Sequence, residues 1–167
     1  MRESIHPKTR IGHAHLRVSD LRRATDFYHD VLGFDVMMYG PETIGVEMAF
    51  LSAGGYHHHI GLNTFQSAGG TRPSQGHTGL YHIAILYPDR LELAKAVKRV
   101  LDYGYTFTGG EDDGFGERVY LDDPDGNGLE LYYDRPRERW TDEEGRLTLS
   151  RPKELAPEDL LDELDPS

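Results

Sequence analysis

The order of apolar and polar positions along the chain predicts a strand, a helix and then further strands. Residues 11–18 alternate between apolar and polar side chains, which is typical of a strand with one buried face. Residues 21–32 then carry apolar side chains at helical spacing, behind an N-cap at Ser19 or Asp20. Gly33 follows at the position where a helix favours a left-handed residue, so we expect the helix to end there.

The same order returns after a connection rich in glycine, serine and proline. A strand at residues 80–87 is followed by a helix that begins near Asp89 and ends at Gly104. The other predicted strands lie at residues 34–39, 44–52, 56–63, 105–108, 117–121 and 129–133. The sequence therefore predicts an α+β fold of two tandem βαβββ modules. The predicted divisions are an N-terminal arm at 1–10, module 1 at 11–65, a linker at 66–77, module 2 at 78–134, and a C-terminal tail at 135–167 with a short helix near 158–164.

Equivalent positions of the two modules hold residues that can bind a metal or move a proton. His13 and His82 each stand seven residues before the aspartate that opens a helix. His59 and Glu130 are 71 positions apart, as are the two glycines that end the helices. Strand alternation predicts all four on the face opposite the apolar one, and predicts His58 on the packed face. Two histidines with one carboxylate form the facial triad of non-haem iron(II) enzymes, so His13, His82 and Glu130 are the expected ligands.

The amino-acid composition argues against several classes of protein. The 167 residues carry a formal charge of −11, which argues against nucleic acid as a partner. The chain has no cysteine, so disulfides, thiolate zinc sites and cysteine nucleophiles are excluded. No apolar run approaches the roughly 20 residues that span a bilayer, and the N-terminus lacks the apolar core of a secretory signal. We therefore expect a cytoplasmic protein with no membrane partner.

Two other metal patterns are weaker. Asp123, Asp125 and Asn127 have the spacing of a calcium loop, but the flanks are predicted strands and the final bidentate glutamate is missing. His57 and His59 have the spacing of a zinc-binding pair on one strand, but two ligands without partners are a weak signal.

Three stretches carry a family resemblance: IGHAHLRVSDLRRATDFYHDVLGF, GLYHIAI and YLDDPDGNGLELY. Over residues 11–134 the chain resembles the vicinal oxygen chelate superfamily of glyoxalases, bleomycin resistance proteins and extradiol dioxygenases. The resemblance implies that the paired modules form an open U-shaped barrel of mixed sheets around a metal. The chain is most similar to type I extradiol enzymes of the catechol 2,3-dioxygenase kind, which implies His13, His82 and Glu130 as metal ligands. It also implies His59 as the acid–base residue, and Tyr120, ten positions before Glu130, as a catalytic tyrosine.

This resemblance implies that a catechol-type aromatic diol is cleaved with O2, using Fe(II), or Mn(II) or another divalent metal. Candidate substrate-binding residues are His15, His57, Phe50, Phe65 and Asp113. Asp113 stands where related sequences carry a pocket histidine, and an ionised carboxylate cannot donate a hydrogen bond as that imidazole can. The alternatives are a metal-dependent isomerase or lyase of the glyoxalase kind, and a ligand-sequestering protein without turnover. A homo-oligomer is compatible with each of them.

Overall fold

A computed structural model of the chain describes residues 4–74, 76–148 and 150–164. Its strands are β1 (Ala14–Arg17), β2 (Asp35–Tyr39), β3 (Met48–Ser52), β4 (Ile60–Asn63), β5 (Ile83–Tyr87), β6 (Gly109–Asp112), β7 (Gly116–Asp122), β8 (Gly128–Asp134) and β9 (Lys153–Glu154). Its helices are α1 (Leu21–Asp26), which continues as a π-helical turn at Phe27–Val31, α2 (Gly40–Thr43) and α3 (Arg90–Asp102), with 3-10 helices at Arg137–Arg139 and Pro157–Leu164. No helix in these described ranges is long and apolar enough to cross a membrane.

The strands form two mixed sheets, one for each module. The first sheet has the order β1-β4-β3-β2, and the second has the order β5-β8-β7-β6-β9. In each sheet the first strand pairs in parallel with the last strand of its module, β1 with β4 and β5 with β8, and the remaining pairs are antiparallel. The prediction of an open α+β fold built from two repeated modules is confirmed.

The two main helices begin and end by the same local chemistry. The Oδ1 atom of Asp20 accepts a hydrogen bond from the backbone N–H three residues later at 3.0 Å, and Asp89 does the same at 2.9 Å. Gly33 and Gly104 follow these helices with φ angles of 84° and 78°, in the left-handed region that favours glycine. The equivalence of the modules is therefore present in the backbone as well as in the sequence.

A buried joint connects the two modules. The hydroxyl of Tyr28, in the π-helical turn of module 1, donates to Oδ2 of Asp123 in module 2 at 3.0 Å, and both residues are buried. Arg99 on α3 donates from Nη1 to the backbone carbonyl of Leu32 at 3.1 Å. The Oδ1 atom of Asp123 also accepts from the backbone N–H groups of Asp125 and Asn127. The sequence that resembles a calcium loop is thus a turn that holds the modules together.

The C-terminal residues pack on module 2. A 3-10 helix occupies Pro157–Leu164, where a short helix is predicted, and Leu160 is fully buried against the core. Arg90 at the start of α3 donates to Glu163 at 2.8 Å. The short strand β9 pairs with β6 and forms the outer edge of the second sheet.

Three strand predictions need correction. The strand predicted at 105–108 lies instead at Gly109–Asp112. Residues 105–108 form a connection outside the sheet, in which the ring of Tyr105 packs against that of Phe27 with centroids 4.9 Å apart. The strand predicted at 44–52 begins at Met48, after the short helix α2. The strand predicted at 56–63 begins at Ile60, so the three histidines before it lie in the irregular connection between β3 and β4.

Candidate metal and substrate site

Two of the predicted metal ligands meet at the second sheet. His82 directly precedes β5, and Glu130 lies in β8 beside Ala84 of β5. His82 Nε2 is 2.9 Å from Glu130 Oε2. Burial raises the pKa of Glu130, while the neighbouring Arg118 and His82 lower it. A buried carboxylate of this kind is stabilised by a cation, and its Oε2 atom and the imidazole Nε2 atom lie close enough to bind one cation together.

Tyr120 lies on the same face of the second sheet. It stands directly opposite Glu130 in the β7–β8 ladder, and its ring centroid is 6.0 Å from that of His82. Its hydroxyl donates to Glu111 Oε1 at 3.0 Å. Burial, followed by the hydrogen bond to Glu111, raises the pKa of Tyr120, so the phenol stays protonated and able to donate. Sequence reasoning missed Glu111, because the strand that carries it was predicted four residues too early.

Asp113 is buried and held on both oxygens by groups of the protein. It is 5% exposed, and its Oδ1 atom accepts from the backbone N–H groups of Phe115 and Gly116 at 3.0 and 3.3 Å. Its Oδ2 atom is 2.7 Å from Nη2 of Arg118. Both oxygens are therefore engaged by the protein, and the contact of Asp113 with a substrate stays a prediction. Arg118 was also missed, although it stands two residues before Tyr120 and strand alternation puts both on one face.

The third predicted ligand, His13, lies in a cluster of aromatic rings on the first sheet. The ring of His58 is 4.3 Å from that of His13 and is stacked on Phe50 at 4.3 Å with an interplanar angle of 11°. His15 lies 6.4 Å from His13, and His57 approaches His58 with their Nδ1 atoms 2.8 Å apart. Burial, together with the nearby His13, lowers the pKa of His58. The prediction that His58 faces the packed side is therefore wrong, because the strand alternation it relied on starts only at Ile60.

His59 is anchored at the end of β3. Its Nδ1 atom accepts a hydrogen bond from the backbone N–H of Ala53 at 3.3 Å and lies 3.1 Å from the hydroxyl of Ser52. With Nδ1 as an acceptor, the neutral ring carries its proton on Nε2. His59 borders a groove of about 510 Å³ that is also lined by Lys8 and Tyr56.

The predicted triad is only partly assembled. Across residues 4–74, 76–148 and 150–164, no group of three or more histidine, cysteine, aspartate or glutamate side chains is arranged to hold a metal ion. His82 and Glu130 fit a divalent cation as a pair, whereas His13 packs with the rings of the first sheet. Phe65, a predicted substrate contact, follows β4 with 59% of its surface exposed.

Comparison with known proteins identifies the family. The sequence profile described as "Glyoxalase/Bleomycin resistance protein/Dioxygenase superfamily" matches residues 10–131. The chain belongs to this superfamily. It is 41% identical over 148 residues to a catechol-2,3-dioxygenase of Bacillus subtilis (strain 168), which covers 88% of this chain and 50% of that protein. It is 32% identical over 127 residues to biphenyl-2,3-diol 1,2-dioxygenase 3 of Rhodococcus globerulus, which covers 75% of this chain and 63% of that protein.

The chain thus spans between half and two thirds of the length of these two curated relatives. Among solved structures, it is similar to a glyoxalase/dioxygenase from Nostoc punctiforme, with a TM-score of 0.63 and 21% identity over 81% of this chain and 99% of that one. At that identity the similarity shows the fold alone.

Proposed function

We propose that this protein is a metal-dependent extradiol dioxygenase that opens the ring of a catechol-type diol with O2. The observation that carries the proposal is the pair His82 and Glu130, whose Nε2 and Oε2 atoms lie 2.9 Å apart with Tyr120 on the same face. The names of the two curated relatives support a ring-cleaving reaction on an aromatic diol.

His82, Glu130 and His13 would hold the metal, with Fe(II) favoured over Mn(II) by the facial-triad chemistry. Such a cation, when bound, lowers the pKa of hydroxyl groups that chelate it and orients the substrate for reaction. The proposal requires His13 to approach the His82–Glu130 pair. His13 and His82 directly precede β1 and β5, and each of these strands is an edge of its sheet. Approach of these edges, within one chain or between two copies of it, would bring the third ligand in.

Tyr120 would orient the substrate through its hydroxyl. Its raised pKa keeps the phenol protonated near neutral pH, and the proton now donated to Glu111 Oε1 is available to a catecholate oxygen instead. His59 would exchange a proton with the substrate at Nε2, because Nδ1 is bound by Ala53 and Ser52. To accept a proton at Nε2, the ring would carry its other proton on Nδ1, exchanging the Ala53 hydrogen bond for one donated to the Ser52 hydroxyl; the imidazolium so formed would later return the proton from Nε2.

The remaining predicted contacts would shape the pocket. The stacked rings of Phe50 and His58 form a flat surface of the kind on which an aromatic substrate stacks. His15 lies 6.2 Å from Phe50, and His57 and Phe65 would act further from the reacting atoms. Asp113 would act through Arg118, which is 2.7 Å from its Oδ2 atom.

The test is anaerobic loading with Fe(II), addition of catechol and then admission of air, with O2 uptake and ring-opened product measured together. The expected result is product formed in equal amounts with O2 consumed, and loss of both in His82→Ala and Glu130→Ala. Asp112→Asn is the control, because Asp112 pairs with Arg135 outside the site. Turnover of a substrate without O2 would identify an isomerase or lyase, and stoichiometric ligand binding without turnover would identify a sequestering protein; either outcome would contradict the proposal.

A further inference from the structure

A buried chain of charges ends at the proposed metal ligand Glu130. Asp113 Oδ2 contacts Arg118 Nη2 at 2.7 Å, and Arg118 Nη1 contacts Glu130 Oε1 at 3.3 Å. The side chains of Asp113, Arg118 and Glu130 are 7%, 16% and 6% exposed, so these contacts are shielded from water. Charges in such surroundings interact far more strongly than on a surface. Removing one of these three charged groups should therefore change the free energy of the other two.

The backbone sets the positions of the charged residues Asp113 and Arg118. Asp113 lies in the turn between β6 and β7, where two backbone N–H groups hold its Oδ1 atom. Arg118 lies in β7 opposite Tyr132, two residues from Tyr120. Its Nε atom is buried, with no hydrogen-bond partner among the described residues, so the guanidinium contributes one terminal nitrogen to each carboxylate. Arg118 is thus a bridge between two carboxylates and does not form a two-pronged pair with either one.

The bridge leaves the two oxygens of Glu130 in different environments. Oε1 is held by Arg118, while Oε2 lies 2.9 Å from His82 Nε2. Arginine binds a carboxylate best through both oxygens at once, so a guanidinium without a second partner would draw Oε2 away from the metal position. An uncompensated positive charge beside the ligand would also repel a divalent cation.

We propose that Asp113 and Arg118 are positioning residues that hold Glu130 with one oxygen toward the metal. Arg118 orients the carboxylate, and Asp113 occupies the other arm of the guanidinium and offsets its charge. The inference rests on the proposed metal binding by His82 and Glu130. It assigns to Asp113 an action through Arg118 and Glu130 in place of a contact with the substrate.

The experiment measures the Kd for Mn(II) alone by calorimetry, with a thermal melt to establish that each variant folds. Asp113→Asn retains the shape and the backbone acceptor but removes the charge opposite Arg118, and we expect binding about 10–100-fold weaker, the range usual for partners of a metal ligand. Arg118→Gln is expected to weaken binding by a similar factor. The double variant Asp113→Asn/Arg118→Gln should have the same Kd as Arg118→Gln alone, because Asp113 acts only through Arg118.

Asp112→Asn is the matched control. It also removes an aspartate–arginine pair, that of Asp112 with Arg135 at 2.6 and 2.9 Å, from the neighbouring position of the chain, and its Kd should equal that of the parent protein. If Asp113→Asn does not fold, Arg118→Lys replaces it: the ammonium keeps the charge but cannot span both carboxylates, so weaker binding is again expected.

The outcomes separate this inference from the proposed function. If the parent protein binds Mn(II), His82→Ala does not, and folded Asp113→Asn binds as the parent does, the inference is overturned while metal binding stands. If the parent binds no Mn(II), both are overturned. A KM for catechol that rises in metal-saturated Asp113→Asn, with the Mn(II) Kd unchanged, would make Asp113 a substrate contact and would also refute the inference.

Discussion

The buried hydrogen bond between Tyr28 and Asp123 provides a direct measure of how strongly the two modules are joined. Tyr28→Phe removes the hydroxyl without changing the ring, which is fully buried. A hydrogen bond to a charged group contributes about 1.5–3 kcal/mol. The Oδ2 atom of Asp123 keeps a second donor, Asn127 Nδ2 at 2.9 Å, so the carboxylate is not left without a partner. We therefore expect the lower end of this range, a loss of about 1.5–2 kcal/mol in the free energy of unfolding.

For a chain of this length, each kcal/mol lowers Tm by about 2–4 °C, so the expected decrease is about 3–8 °C. The measurement is thermal melting together with urea unfolding, with an unchanged m-value as the sign that the folded state is intact. Tyr103→Phe is the control, since Tyr103 is 56% exposed. A Tyr28→Phe protein with the same midpoint as the Tyr103→Phe protein would refute the reasoning.

Three further predictions follow from burial and hydrogen bonding. Leu160→Ala removes a fully buried side chain and should cost about 2–5 kcal/mol in unfolding free energy, whereas Leu147→Ala, at a side chain 62% exposed, should leave the urea midpoint unchanged. Burial raises the pKa of Tyr28 well above its usual 10, so above pH 10 the folded chain keeps a proton that the unfolded chain loses. The free energy of unfolding should therefore fall above pH 10 by up to about 1.4 kcal/mol per pH unit, and less steeply in Tyr28→Phe. His59→Gln should retain Mn(II) affinity but lower turnover by roughly 10²–10⁴, and equal turnover in His57→Gln and His59→Gln would contradict that role.

Features set by local chemistry could be predicted from the sequence. Asp20 and Asp89 cap helices because a carboxylate can accept from the free N–H groups of the first turn, and Gly33 and Gly104 end them because glycine tolerates a positive φ angle. Each of these effects involves residues within a few positions of one another. The repeated order of elements, and with it the pairing of His82 with Glu130, followed from these signals.

Features set by tertiary partners could not be predicted in this way. The apolar alternation around Tyr105 is indistinguishable from a strand in sequence, yet it reflects packing against Phe27. The direction of His58 depends on where hydrogen bonding of β4 begins, and the role of Asp113 depends on an arginine five residues away that strand geometry brings to it. The approach of His13 to its proposed partners depends on how the two sheets meet, which no local pattern encodes.

The strand β9 has a consequence for the solubility of shortened forms of the chain. It pairs with Glu111 and Asp112 of β6, so this half of β6 is covered by an edge strand only two residues long. Short edge strands resist edge-to-edge pairing with other molecules, and an uncovered edge invites aggregation. The opposite sheet has β2 at its edge, where the register shifts between Val36 and Met38, and such irregularities also discourage pairing. In a chain cut before Lys153, all four residues of β6 would form an uncovered edge, and we expect such a shortened chain to self-associate.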